Sequence, residues 1–128
     1  MTDAIQERLA PYREEGRIPC ACACEIAHVC GVLPTAVGQV ADNEGIRISE
    51  CQLGLFGYEA YGEKRWVRRL TTIPRALEGE IQAAQVGERL PCAAAWRLAD
   101  ARGLPRPLMG SVSETLNVRI SECQLGCF

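Results

Sequence analysis

Residues 47–54 read RISECQLG, and the same eight letters return at residues 119–126. The offset of 72 carries the match well beyond that block: without a gap, residues 3–56 pair with residues 75–128, and nineteen of those 54 pairs are identical. Identities such as Ala4 with Ala76, Pro19-Cys20 with Pro91-Cys92, Ala27 with Ala99, Gly31 with Gly103, Gly38 with Gly110, Val40 with Val112 and Phe56 with Phe128 are spread along the whole unit. A self-match of this kind marks each copy as one supersecondary unit. The expected organisation is a first repeat over 1–56, a connector over 57–74 and a second repeat over 75–128.

A 54-residue unit is barely large enough to fold alone, and neither copy is rich in aromatics. Two copies sharing an apolar seam bury a larger fraction of surface, which favours a pseudo-dimer fused within one chain about a near two-fold axis. The net charge of −2 conceals an asymmetry. The first copy holds eight acids and four bases, the connector two and four, and the second copy six of each, giving −4, +2 and zero. A polyanionic partner would therefore have to meet the connector and the second copy. The N-terminal stretch mixes acids among its apolar residues, unlike a signal peptide, and no run approaches bilayer length. A cytoplasmic protein without a membrane partner is expected. In that compartment eight cysteines are thiols or metal ligands rather than a disulfide framework.

Periodicity predicts the elements. Ile5, Leu9 and Tyr12 give a short amphipathic helix over residues 3–14, capped by Asp3 and ended near Gly16, with Leu77 and Ile81 in its counterpart. A second helix from Pro19 or Cys20 to Cys30 carries Cys20, Ala23, Ile26, Ala27 and Cys30, and Gly31 supplies a left-handed stop. A third opens at Pro34 and carries Val37, Val40 and Ala41, matched by Met109 and Val112. From Gly45 the pattern turns to period two, with Ile46 and Ile48 opposite Arg47; a turn or bulge at Ser49-Glu50 then separates this strand from a second short one at Cys51 and Leu53. In the connector, Tyr58, Tyr61 and Trp66 interleave with Lys64, Arg65, Arg68 and Arg69, as in a further strand or a docked arm.

Three helices followed by a short strand or hairpin, with alanine in the second helix and glycine at the bend, resemble the helix-turn-helix superfamily and its winged variants. Ile26, Ala27, Gly31, Val32, Val37 and Val40 fill the pattern of that superfamily's bihelical core in the first copy, and Leu98, Ala99, Gly103, Leu104, Met109 and Val112 fill it in the second. The physical reason is close packing: alanine lets the helices cross nearby, and glycine takes the bend. The resemblance implies a mainly α fold with short β elements, present as a tandem repeat. It also implies DNA contact through the third helix, but the first copy offers only Pro34, Thr35, Gly38 and Gln39 there, with Asp42 and Glu44 behind. The second copy offers Arg106, with Arg97 and Arg102 nearby. Gly38 and Gly110 inside the third helices cost about 1 kcal/mol each against alanine, so something approaches them closely, either a DNA backbone or another part of the protein.

Cys20, Cys51, Cys92 and Cys123 are the cysteines present in both copies. They read as small core residues, or as four thiolates for zinc or an iron-sulfur cluster. Cys22, Cys24 and Cys30 belong to the first copy only, in no standard zinc spacing, and Cys127 lies near the end. His28, the single histidine, follows Cys24 by one turn; a Cys-His nucleophile pair there has no third orienting group, and Glu50 and Glu122 opposite Arg47 and Arg119 read as surface ion pairs. No enzymatic activity is expected. The leading expectation is a duplex-DNA-binding regulatory protein making sequence-tolerant phosphate contacts through Lys64, Arg65, Arg68, Arg69, Arg97, Arg102 and Arg106. The alternatives are an interaction module or accessory subunit with a protein partner, motivated by the acidic first copy, and a thiol-based metal sensor.

Overall fold

The computed structural model describes residues 2–59 and 67–127. In chain order its helices and strands are α1 (Thr2–Leu9), β1 (Arg17–Pro19), α2 (Cys20–Cys30), α3 (Pro34–Asn43), β2 (Arg47–Ser49), α4 (Arg75–Ala84), β3 (Arg89–Pro91), α5 (Cys92–Ala101), α6 (Arg106–Thr115) and β4 (Arg119–Ser121). The strands and the second and third helices of the two copies start 72 residues apart, so the duplication seen in the letters is also a duplication of structure. No single helix among the described residues is long and apolar enough to cross a membrane.

The first helix is shorter than periodicity suggests. After Leu9 the chain tightens into a 3-10 turn over Ala10–Tyr12 that contains Pro11, whose ring and missing N–H do not suit an α-helical interior. Asp3 lies in the first turn of α1 rather than before it, where its carboxylate still complements the helix dipole.

Helices α2 and α3 cross at 116°, within the range of about 90–120° of a helix-turn-helix. The bend is built as glycine requires: Gly31 has φ +66°, and the Val32 N–H donates to the Ala27 carbonyl at 3.0 Å. In the second copy Gly103 has φ +65° and the Leu104 N–H donates to the Ala99 carbonyl at 2.9 Å. The predicted bihelical core is therefore formed twice. Ala27, Val37, Ala99, Met109 and Val112 are all buried.

Of the two forms expected for the closing element, the single strand is the one that forms. β2 pairs in parallel with β1, placing Arg17 opposite Arg47 and Ile18 opposite Ile48, and β4 pairs in parallel with β3, placing Arg89 opposite Arg119. Each copy thus has its helix-turn-helix inserted between the two strands of a parallel pair, and the strand blocks neither pair across the copies nor form antiparallel wings. β1 and β3 escape sequence patterning because three residues with one buried apolar side chain, Ile18 or Leu90, show no alternation. The expected turn after β2 is present, with Glu50 at φ +47° and Glu122 at φ +49°. Beyond it, Cys51 lies in irregular chain and Leu53 in a turn rather than in a second strand.

Packing divides the chain into two compact units that do not coincide with the copies. The first runs through Cys51 and takes in Gln124–Cys127; the second comprises Gln52–Cys123. Each unit therefore contains the tail of the other copy's repeat block. The first unit's core is Ile5, Leu9, Ile18, Ala23, Ala27, Val37, Ala41 and Ile46, joined by Leu125; the second's is Leu77, Ile81, Leu90, Ala95, Ala99, Met109 and Val112, joined by Leu53. Each large aliphatic side chain buried in this way contributes about 1.5–3 kcal/mol.

The helical glycines explain the seating of the tails. A β-carbon at Gly38 would run into the Leu125 carbonyl oxygen, and one at Gly110 into the Leu53 carbonyl oxygen. What approaches these helices is protein backbone.

Candidate interaction surfaces

In the second unit the third helix is covered on two sides. Beside Gly110 lies the Leu53 carbonyl, and the Val67 side chain reaches within 3.2 Å of where a β-carbon would stand. From Val67 the connector continues as the docked arm that was one of its two expected forms. The Arg68 N–H donates to Ser111 Oγ at 3.0 Å and the Leu70 N–H to Thr115 Oγ1 at 2.9 Å, while the Thr115 hydroxyl donates to the Ser111 carbonyl at 2.8 Å. Met109, Gly110, Ser111, Val112 and Ser113 are all buried. The arm thus occupies the Ser111–Thr115 track, while a depression of about 880 Å³ lined by Gly110, Ser113, Glu114, Asn117 and Arg119 remains beside the helix.

The arginines expected to meet phosphate have varied surroundings. Arg106 Nε and Nη2 donate to the two carboxylate oxygens of Asp100 at 3.1 and 2.9 Å. Its guanidinium also stacks 3.9 Å over the Trp96 ring, and its Nη1 reaches Gln52 Oε1 at 3.4 Å. Arg102 Nε donates to Glu80 at 2.7 Å. These bonds hold the Glu80 and Asp100 carboxyls below their ordinary pKa values, the hydrogen bond from arginine being the main cause in each, and push Arg102 upward. A phosphate would have to compete with those carboxylates. Arg69 Nη2 reaches Asn117 Oδ1 at 3.4 Å, and Arg68, Arg69 and Arg97 are exposed. Lys64 and Arg65, with Tyr61 and Trp66, lie outside the described residues.

In the first unit the corresponding helix is open. Thr35, Gln39, Asp42 and Asn43 of α3 are exposed. Leu33, the residue before the helix, is 74% exposed and Val29 at the end of α2 is 49% exposed, both unusual for large apolar side chains. A depression of about 480 Å³ runs beside α3, lined by Gly38, Gln39, Asp42, Arg47 and the tail residues Leu125 and Gly126. The first unit carries eight acids and four bases against eight and ten in the second, that is −4 against +2. Sequence reading identified this helix as poor equipment for DNA; it had no signal for the exposed Leu33 and Val29, whose apolar character fits a core as well as a surface.

The duplicated cysteines are divided between the units. Cys20 opens α2 and Cys51 follows β2 in the first, while Cys92 and Cys123 hold the same places in the second; all four are buried. All eight cysteines are thiols. Among the described residues no three of His, Cys, Asp or Glu are placed to hold a metal ion. Cys22 is half-buried beside Tyr12, and the hydrogen bond between them is the main cause of a raised Tyr12 pKa. His28 is exposed on α2.

Comparison with known protein families finds no matching family model, and neither the curated proteins nor the solved structures give a match.

Proposed function

We propose that this protein is an interaction module: two helix-turn-helix-like units that dock a protein partner through the first unit, with the DNA-reading face of the second given over to internal packing. The observation that carries the reading is the covering of α6. Its Ser111 and Thr115 hydroxyls are taken by the backbone of Arg68 and Leu70, and Gly110 is closed by the Leu53 carbonyl. The exposed Leu33 and Val29 and the −4 charge of the first unit support the same reading, because a surface that is acidic and apolar repels a phosphate backbone and suits a protein.

A second reading, sequence-tolerant phosphate contact, is supported by the exposed Arg68, Arg69 and Arg97. One pair of measurements separates the two. Affinity capture with the full chain, compared with its Leu33→Asp variant, should lose a stoichiometric protein partner that Arg97→Gln retains. Titration with duplex DNA at low salt should show no binding stronger than millimolar. Micromolar binding with a steep salt dependence, weakened by Arg97→Gln and indifferent to Leu33→Asp, would reverse the order of the readings.

A further inference from the structure

From the way the second unit covers its own third helix, we infer that α3 of the first unit is the receptor for an extended basic peptide of a partner protein. The inference rests on the interaction reading and names the partner's chemistry.

The arm on α6 is a worked example of such docking. Two backbone N–H groups two residues apart, on Arg68 and Leu70, reach two hydroxyls four residues apart, on Ser111 and Thr115. Two residues of extended chain span about 6.6–6.8 Å, and four residues of α-helix rise about 6 Å. The repeats match, so an extended segment can follow the helix in the same direction, with every second N–H meeting a side chain one turn further on. The segment itself is Val-Arg-Arg-Leu, with its first aliphatic side chain beside Gly110 and both arginines exposed.

Subtracting 72 moves this track onto α3. Gly110 becomes Gly38, Ser111 becomes Gln39 and Thr115 becomes Asn43. Gln39 and Asn43 are again one turn apart, each carries an amide oxygen that can accept from a backbone N–H, and both are exposed to solvent. Their amide nitrogens are donors as well, so a passing peptide carbonyl can also be met. The depression beside the helix takes in Gln39, whereas Ser111 lies beneath the arm. Charge selects the occupant: Asp42 is exposed beside the track and Arg47 also lines the depression, but the unit as a whole carries −4, so a segment with cations flanked by aliphatic residues is favoured over an acidic one.

The test uses the full protein and a labelled peptide with the sequence of residues 67–73, Val-Arg-Arg-Leu-Thr-Thr-Ile. Fluorescence anisotropy should give saturable binding that drops at least tenfold in a Gln39→Ala/Asn43→Ala variant, whose two changes are at exposed positions. A scrambled peptide of the same composition should bind at least tenfold more weakly than the ordered one. Equal binding of the scrambled peptide, or unchanged binding by the double variant, would overturn the inference. So would a concentration-dependent dimer that the double variant abolishes, because the groove would then belong to a second copy of the chain. Loss of the captured partner in Leu33→Asp but not in Gln39→Ala/Asn43→Ala would retain the interaction module and reject this groove as its site.

Discussion

The Leu125 carbonyl rests against the α-carbon of Gly38, far inside the distance at which any β-carbon could stand, and Leu53 stands in the same relation to Gly110. A main-chain oxygen cannot rotate away as a side chain can. Gly38→Ala and Gly110→Ala should therefore each cost about 3 kcal/mol, the upper end of the usual overpacking range, measured by urea unfolding. Gly79→Ala is the control: Gly79 lies inside α4, and no other part of the protein packs where its β-carbon would stand. There alanine should stabilise by about 0.5–1 kcal/mol. Equal effects at the three positions would contradict the close seating of the tails.

Leu125 is 4% exposed and belongs to the first unit, although it is encoded in the second copy. Leu125→Ala should cost about 2–4 kcal/mol, and hydrogen exchange should show the loss in α1 to α3 rather than in α4 to α6. Leu53→Ala should do the reverse. If each substitution instead loosened the copy that encodes it, the exchange of tails would be wrong.

How much of this was legible beforehand follows from the range of the interactions. Gly31 and Gly103 were readable because a left-handed helix stop is a local demand, and the core positions Ala27, Val37, Ala99 and Met109 because the helical period is local too. The third-helix glycines announced a close approach but not its agent. Leu125 comes to Gly38 from 87 positions along the chain, and no pattern within a window of that helix encodes it. β1 and β3 leave no such signal, because a three-residue strand has too little alternation to register. Among the arginines, sequence supplied the charges but not the carboxylates beside them: Glu80 is 22 residues from Arg102.

Ser111→Ala should release the arm at Arg68, and Thr115→Ala at Leu70. Each substitution removes a hydrogen bond whose net worth is about 1 kcal/mol. Faster exchange of the two amide protons, with the α5 amides unchanged, is the expected signature. Protection that survives both substitutions would mean that the arm is held by other contacts.

The Glu80–Arg102 and Asp100–Arg106 pairs also set a pH dependence. Both carboxyls have folded-state pKa values lowered by the hydrogen bond from arginine. Their contribution is present above the ordinary carboxylate range and is lost as pH falls through the lowered values. Arg102→Gln and Arg106→Gln should each return the partner carboxyl toward its ordinary titration, as followed by carboxyl-carbon NMR. At this surface the stability change is small and should fade further in salt. Unmoved titration in both variants would dissolve the pairs.

A protein carrying only one of the two copies would be left with an unfilled notch beside its third helix and a tail with nowhere to lie. Two such molecules could satisfy one another, each lending the four residues the other lacks. Joining them end to end turns that loan into an internal arrangement whose strength no longer depends on concentration. It also makes the block RISECQLG serve two masters: its first three residues pair with a strand of their own copy, and its closing leucine lies on a helix of the opposite one.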